Sequence, residues 1–138
     1  MEPVICCMGN VILIITLLLT LAFINFHKFY ISAQFTLDSK PSDVVYVEVG
    51  KTLRLDVTFT YTGLFTLTLA WSFNGNTLVQ KVGNGKPVSL LPGRADIEGQ
   101  GSLVLKNTGL QDKGTYRFSW AGSAVGNYDF TVIILGKF

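Results

Sequence analysis

From about residue 44 to residue 135, apolar and polar residues alternate with a period of two, the spacing that an extended strand imposes on its two faces. The clearest case is Leu53-Arg54-Leu55-Asp56-Val57-Thr58-Phe59. Its Leu, Val and Phe residues share one face and its Arg, Asp and Thr residues the other, as in an antiparallel strand half-buried in a sheet. Leu67, Leu69, Trp71 and Phe73 repeat the pattern, and Asn74-Gly75 behind them is a strong hairpin turn signal. Reading on in this way predicts nine strands: Val44–Val49, Leu53–Phe59, Phe65–Phe73, Thr77–Val82, Lys86–Leu91, Arg94–Ile97, Ser102–Lys106, Gly114–Trp120 and Tyr128–Leu135. Gly83-Asn84-Gly85 and Pro92-Gly93 separate neighbours. No stretch after residue 34 carries a sustained 3.6-residue period, so essentially no helix is expected there. Many short strands at regular spacing predict an all-β sandwich or barrel.

The N-terminal part follows another pattern. No charged side chain occurs from Pro3 to Phe26, and Val11–Ile24 reads VILIITLLLTLAFI. An apolar helix is expected here, with two readings. A secretory signal needs an apolar core of about 7–15 residues followed by a small-residue cleavage site; the core fits, and cleavage after Ala33 suits Tyr30-Ile31-Ser32-Ala33. A membrane-spanning helix needs about 20 mostly apolar residues, and Val4–Phe26 offers 23, interrupted only by Gly9, Asn10, Asn25 and two threonines. The organisation expected is therefore 1–33 as signal peptide or N-terminal transmembrane anchor, and 34–138 as one globular domain, on the cell surface or secreted. Orientation stays open, because Lys28 alone marks either flank.

Composition narrows the chemistry. Hydrophobic residues make up 49% of the chain and charged residues 14%, an apolar excess that resides in the N-terminal run. Lys28 and Glu2 lie ahead of the domain, leaving it ten basic and eight acidic residues, interspersed rather than clustered. A nucleic-acid partner would call for a clustered basic face, and none is expected. Both cysteines, Cys6 and Cys7, and the single histidine, His27, precede residue 34. Thiolate metal sites, an internal disulfide and a Ser-His-Asp arrangement are thereby unavailable to the domain's own residues. Gly83-Asn84-Gly85-Lys86 lacks the spacing and following helix of a phosphate loop, and a hairpin turn accounts for it. The expectation is a protein that is not an enzyme and takes no metal or cofactor. No Asn-x-Ser/Thr sequence is present.

Three stretches together carry a family resemblance. Trp71-Ser72-Phe73-Asn74-Gly75 looks like the third strand of an immunoglobulin V-type domain, with Trp71 as its core tryptophan. Gly101-Ser102-Leu103-Val104-Leu105, followed by Leu110, looks like the fifth. Asp112-Lys113-Gly114-Thr115-Tyr116-Arg117-Phe118 resembles the Asp-x-Gly-x-Tyr-x-Cys signature. The resemblance covers about Val44 to Leu135 and implies a two-sheet sandwich of about nine strands. It implies Tyr116 as a tyrosine corner, Gly114 at the tight turn before its strand, and an Arg94–Asp112 pair across the bottom of the sandwich. The two family cysteines fall on Val57 and Phe118, so packing must replace the inter-sheet disulfide. The membrane-distal domains of CD2-like, SLAM-like and carcinoembryonic-antigen-like adhesion receptors also lack this bridge, and some invertebrate allorecognition receptors look similar.

That resemblance implies an extracellular recognition or adhesion module binding a protein, either itself or another immunoglobulin-type domain. The alternative is a secreted ligand or decoy, viral or immune. If Trp71 and Tyr116 point inward, Ala70, Ser72, Asn74, Arg117, Ser119, Asp129 and Thr131 point outward from the front sheet, a small, polar, lightly charged face that would take a partner's large side chains. The loop Ala121–Asn127 is a second candidate, as adaptable contact or plain turn. Of Leu64 and Phe65 in the first loop, one is expected to be buried.

Overall fold

The computed structural model describes residues 33–136. The N-terminal apolar segment with its helix, signal and anchor readings, Cys6, Cys7 and His27 lie outside the described residues. Among the described residues, no helix is long and apolar enough to cross a membrane.

Eleven strands form two facing layers. The back layer contains β1 (Gln34–Ser39) paired with β4 (Thr58–Thr62), and β3 (Leu53–Leu55), β9 (Ser102–Leu105) and β8 (Ala95–Glu98) in the order β3-β9-β8. The front layer is six-stranded. It joins β2 (Val44–Glu48), β5 (Thr68–Phe73), β6 (Asn76–Val82), β7 (Val88–Ser89), β10 (Gly114–Ala121) and β11 (Val125–Leu135) in the order β2-β11-β10-β5-β6-β7. All pairings are antiparallel except β2 with β11, which is parallel. A 3-10 turn, Leu110–Asp112, leads into β10.

The all-β sandwich is as expected, but the strand count is not. β1 was not foreseen: it carries only two apolar residues, Phe35 and Leu37, and Lys40-Pro41 follows it. The strand expected over 53–59 is two strands, because its hydrogen-bond partner changes midway. β3 pairs with β9. The Val57 N–H then donates to Ser102 Oγ at 3.1 Å, and the Phe59 N–H to Gln100 Oε1 at 3.1 Å. Side chains thus satisfy the backbone at the crossover, and β4 goes on to pair with β1. The strand expected over 86–91 shrinks to two residues at the sheet edge, and the one expected from Phe65 starts at Thr68.

Between the layers, Leu53, Leu55, Leu103 and Leu105 from the back meet Trp71, Phe118, Phe130 and Val132 from the front, all buried. An aromatic series runs through this core. Phe59 stacks on Phe35 at 5.0 Å between ring centroids, and Phe35 on Trp120 at 4.2 Å. Trp120 meets Phe118 at 5.7 Å, Phe118 meets Trp71 at 5.0 Å, and Trp71 meets Phe130 at 5.8 Å. Val57 and Phe118, where the resemblance places cysteines, are both fully enclosed. The Trp71 indole N–H is satisfied by the Gly101 carbonyl at 2.7 Å. This satisfies the polar atom that burying a tryptophan would otherwise strand.

Candidate partner-binding surface

The turn before β10 is held by a compact polar network. The Arg94 guanidinium lies 2.8 Å from Asp112 Oδ2, and its Nε donates to the Lys106 carbonyl at 3.2 Å. The same Asp112 oxygen accepts the Gly109 N–H at 2.7 Å. The Tyr116 hydroxyl donates to the Asp112 carbonyl at 2.7 Å, as the tyrosine-corner expectation required. Burial, the largest cause, and the neighbouring Asp112 push the Tyr116 phenol well above its ordinary pKa, so it remains a donor at any physiological pH. Tyr116→Phe leaves that carbonyl without its donor. It is expected to lower stability by about 1–2 kcal/mol in denaturant titration.

Gly114 sits where a Cβ would come within 2.6 Å of Asn74 Oδ1 and 2.9 Å of the Phe73 ring. Asn74 itself, at φ 46°, accepts the Thr115 N–H at 3.0 Å through its side chain. Expected as an outward contact, Asn74 instead has its side-chain oxygen committed to locking the β5–β6 turn against β10.

The other outward candidates come together as the alternation implied. Directly opposed residues share a face. Ser72, Arg117 and Asp129 form one row across β5, β10 and β11; Ala70, Ser119 and Asn127 form the next. Thr131 lies opposite Thr115 and beside Val44. Arg117 grips Asp129 in a two-pronged pair, Nε to Oδ1 at 2.7 Å and Nη2 to Oδ2 at 3.1 Å. The hydrogen bond from Arg117 holds the Asp129 carboxyl below its ordinary pKa, with burial working weakly against it. Both groups are about half exposed, so the pair adds little stability. Its effect on the face is to present a fixed, locally neutralised dipole.

The expectation of a merely polar face needs correction. On strands β6 and β7, Gln80 and Val88 are opposed, and Val82, Val88 and Leu90 occupy outward positions. Leu90 continues the β7 pairing through its N–H to the Leu78 carbonyl. At the other side stand Val44, Tyr46 and Leu135, and Val125 closes the β10–β11 hairpin at 79% exposure. Of ten large exposed apolar side chains among the described residues, these seven belong to the front sheet. The face is thus a trough of small residues (Ala70, Ser72, Ser119, Ala121) bordered by apolar ones.

The two loop expectations also change. The 121–127 loop narrows to residues 122–124, because Ala121 and Val125 are already paired as strand. Leu64 and Phe65 are both 69% exposed, where one burial was expected. Backbone satisfaction accounts for this. The Tyr61 hydroxyl donates to the Phe65 carbonyl at 2.6 Å and accepts the Ser123 N–H at 2.8 Å, while Ser123 Oγ accepts the Phe65 N–H at 3.0 Å. The clasp fixes the loop as a turn whose tip projects both side chains outward.

No protein-family model matches the chain, and no curated protein matches it. Solved structures do. The V domain of amphioxus IgVJ-C2 superposes with a TM-score of 0.56 at 15% identity, over 66% of this chain and 99% of that one. Dpr1 IG1, solved bound to DIP-eta IG1, gives 0.60 at 16% identity over 75% and 97%. The extracellular domain of the voltage-gated sodium channel beta4 subunit, solved as parallel homodimers related to cell–cell adhesion, gives 0.59 at 19% identity over 75% and 100%. With the Trp71 core, the Tyr116 corner and the two-layer strand order, these likenesses establish that the described residues have the immunoglobulin V-type fold.

Proposed function

We propose that this chain is an extracellular recognition or adhesion module that binds a protein through the outer face of its six-stranded sheet. The partner is a second copy or another immunoglobulin-type domain. The observation that carries this reading is the concentration of exposed apolar side chains around a small-residue trough on that one face. Exposed apolar side chains gathered on one face mark interaction sites on soluble domains. Ser72, Arg117, Ser119, Asp129 and Thr131 form the floor, the apolar border supplies the buried area, and the Arg117–Asp129 fork supplies orientation. Structures of similar fold support the choice of partner, since Dpr1 IG1 is bound to another such domain and the sodium channel beta4 domain pairs with itself.

Ser119→Arg tests it. Ser119 lies mid-trough on the solvent side of β10, so the variant keeps its fold while filling the space a partner would use. Self-association by sedimentation, or adhesion of cells displaying the chain, is expected to weaken at least about tenfold, equivalent to about 1.4 kcal/mol. Unchanged binding would rule out the front face.

A further inference from the structure

The sandwich has two dissimilar ends. Gln34, the first residue of β1, pairs with Thr62, so the chain enters the domain beside the 63–67 turn. That end also bears the 83–87, 99–101 and 122–124 turns, and Lys86 is the one charged residue in all four. From it project Leu64, Phe65 and Val125, all strongly exposed. The opposite end is charged, with Lys51, Arg94, Lys106, Asp112 and Lys113 in its turns. An exposed apolar side chain on a mobile loop is commonplace. Here the Tyr61–Ser123 clasp holds the Leu64–Phe65 tip rigid and ties it to the hairpin carrying Val125, which is the preorganisation expected of a contact surface.

We propose that this end docks on a lipid bilayer, with Leu64, Phe65 and Val125 dipping into the interfacial region. The inference rests on the membrane-anchor reading of residues 4–26, and of its three contact residues only Val125 also borders the front sheet. The chain outside the described region argues for this occupant. The 23 uncharged residues of Val4–Phe26 suffice to span a bilayer. Only residues 27–33 separate them from β1, a tether of at most about 25 Å even fully extended. Eleven-residue β11 alone is about 37 Å long. With that tether a bilayer holding residues 4–26 can meet the apolar end, whereas the domain cannot stand upright on its charged end. Charge agrees as well: these four turns present no carboxylate to repel anionic headgroups, and Lys86 favours them. Three apolar side chains around a fixed turn suit shallow insertion, which scales with buried apolar area.

The test uses the full chain with Cys6→Ser and Cys7→Ser, so that one introduced cysteine can carry an environment-sensitive fluorophore. Leu64→Cys reports the proposed contact. Leu110→Cys, of similar exposure at the opposite end, is the control. The chain is reconstituted into phosphatidylcholine vesicles containing phosphatidylserine, with and without shallow spin-labelled lipid. Several-fold quenching at position 64 and none at position 110 is the expected result. Equal quenching at both, or at neither, would overturn docking, as would a blue shift at position 64 without lipid quenching, which would mean that protein covers the tip. Alkaline carbonate extraction separates the two ideas. A chain that is retained yet unquenched refutes docking alone, whereas a chain that is extracted removes the anchor and the docking with it.

Discussion

Phe118→Ala is expected to destabilise the sandwich by about 3–5 kcal/mol, the range for deleting a fully enclosed aromatic ring. Phe118 is completely buried and touches Trp71, Trp120 and Phe35 across 5.0, 5.7 and 6.5 Å between centroids. A Cβ on Gly101 would approach its ring at 3.4 Å, so the pocket is closed on that side by backbone. Neighbours fixed by strand pairing have little freedom to collapse into the space left, and the cavity adds to the lost transfer energy. A domain of this size holds about 5–15 kcal/mol in total, so the variant loses a large share of it. Denaturant titration followed by tryptophan fluorescence measures the loss directly. A cost below about 1 kcal/mol would show that the aromatic series does not stand in for the inter-sheet disulfide that the resemblance would have led one to expect.

The second large effect is expected at Arg94. Asp112 is nearly enclosed, with only 10% of its side chain exposed, and its Oδ2 depends on Arg94 and the Gly109 N–H. Arg94→Ala leaves a carboxylate with one donor, and it also withdraws the guanidinium from the Lys106 carbonyl. Removing one partner of a buried pair costs about 3–5 kcal/mol. Because Arg94 is one-third exposed and water reaches it, about 2–4 kcal/mol is expected. Asp112→Ala costs less, since the arginine left behind keeps its carbonyl partners and some solvent. The double variant should cost less than the two single losses combined, because the groups share one network. Strict additivity in a double-mutant cycle would show that the two side chains do not act together.

Sequence and structure agree where local chemistry is decisive. The Leu53-Arg54-Leu55 alternation, the inward Leu69, Trp71 and Phe73, and the Asp112-to-Phe118 signature each specify face and turn by themselves. β1 is not legible in the sequence because Phe35 gains its burial by stacking on Trp120 and Phe59, far along the chain, and no short-range pattern records that stacking. The break between β3 and β4 was hidden likewise: the alternation continues through Val57 unaltered, while the hydrogen-bond partner changes to Ser102 and Gln100. For the candidate surface, the row Ser72-Arg117-Asp129 follows from the period of two once strand order is known. Its apolar border does not, because Val82, Val88 and Leu90 become neighbours of the trough only through the pairing of β6 with β5 and β7. Asn74 departs from its expected outward position because φ of 46° turns it out of the strand's alternation and into a bond with Thr115.

The parallel alignment of β2 with β11 has a mechanical consequence. The chain enters at Gln34 at one end of the sandwich and leaves β11 at Leu135 at the other, while Val44–Glu48 runs alongside Thr131–Leu135 in the same direction. Tension drawn between those ends pulls β2 and β11 past each other along their length. Their five register pairs, Thr131 with Val44 through Leu135 with Glu48, are then strained together rather than opened one after another. The β1–β4 ladder is loaded in the same sense. A domain held by its N-terminal side and pulled from its C-terminal side would yield abruptly at high force rather than unzip, a behaviour suited to a contact that has to survive stretching.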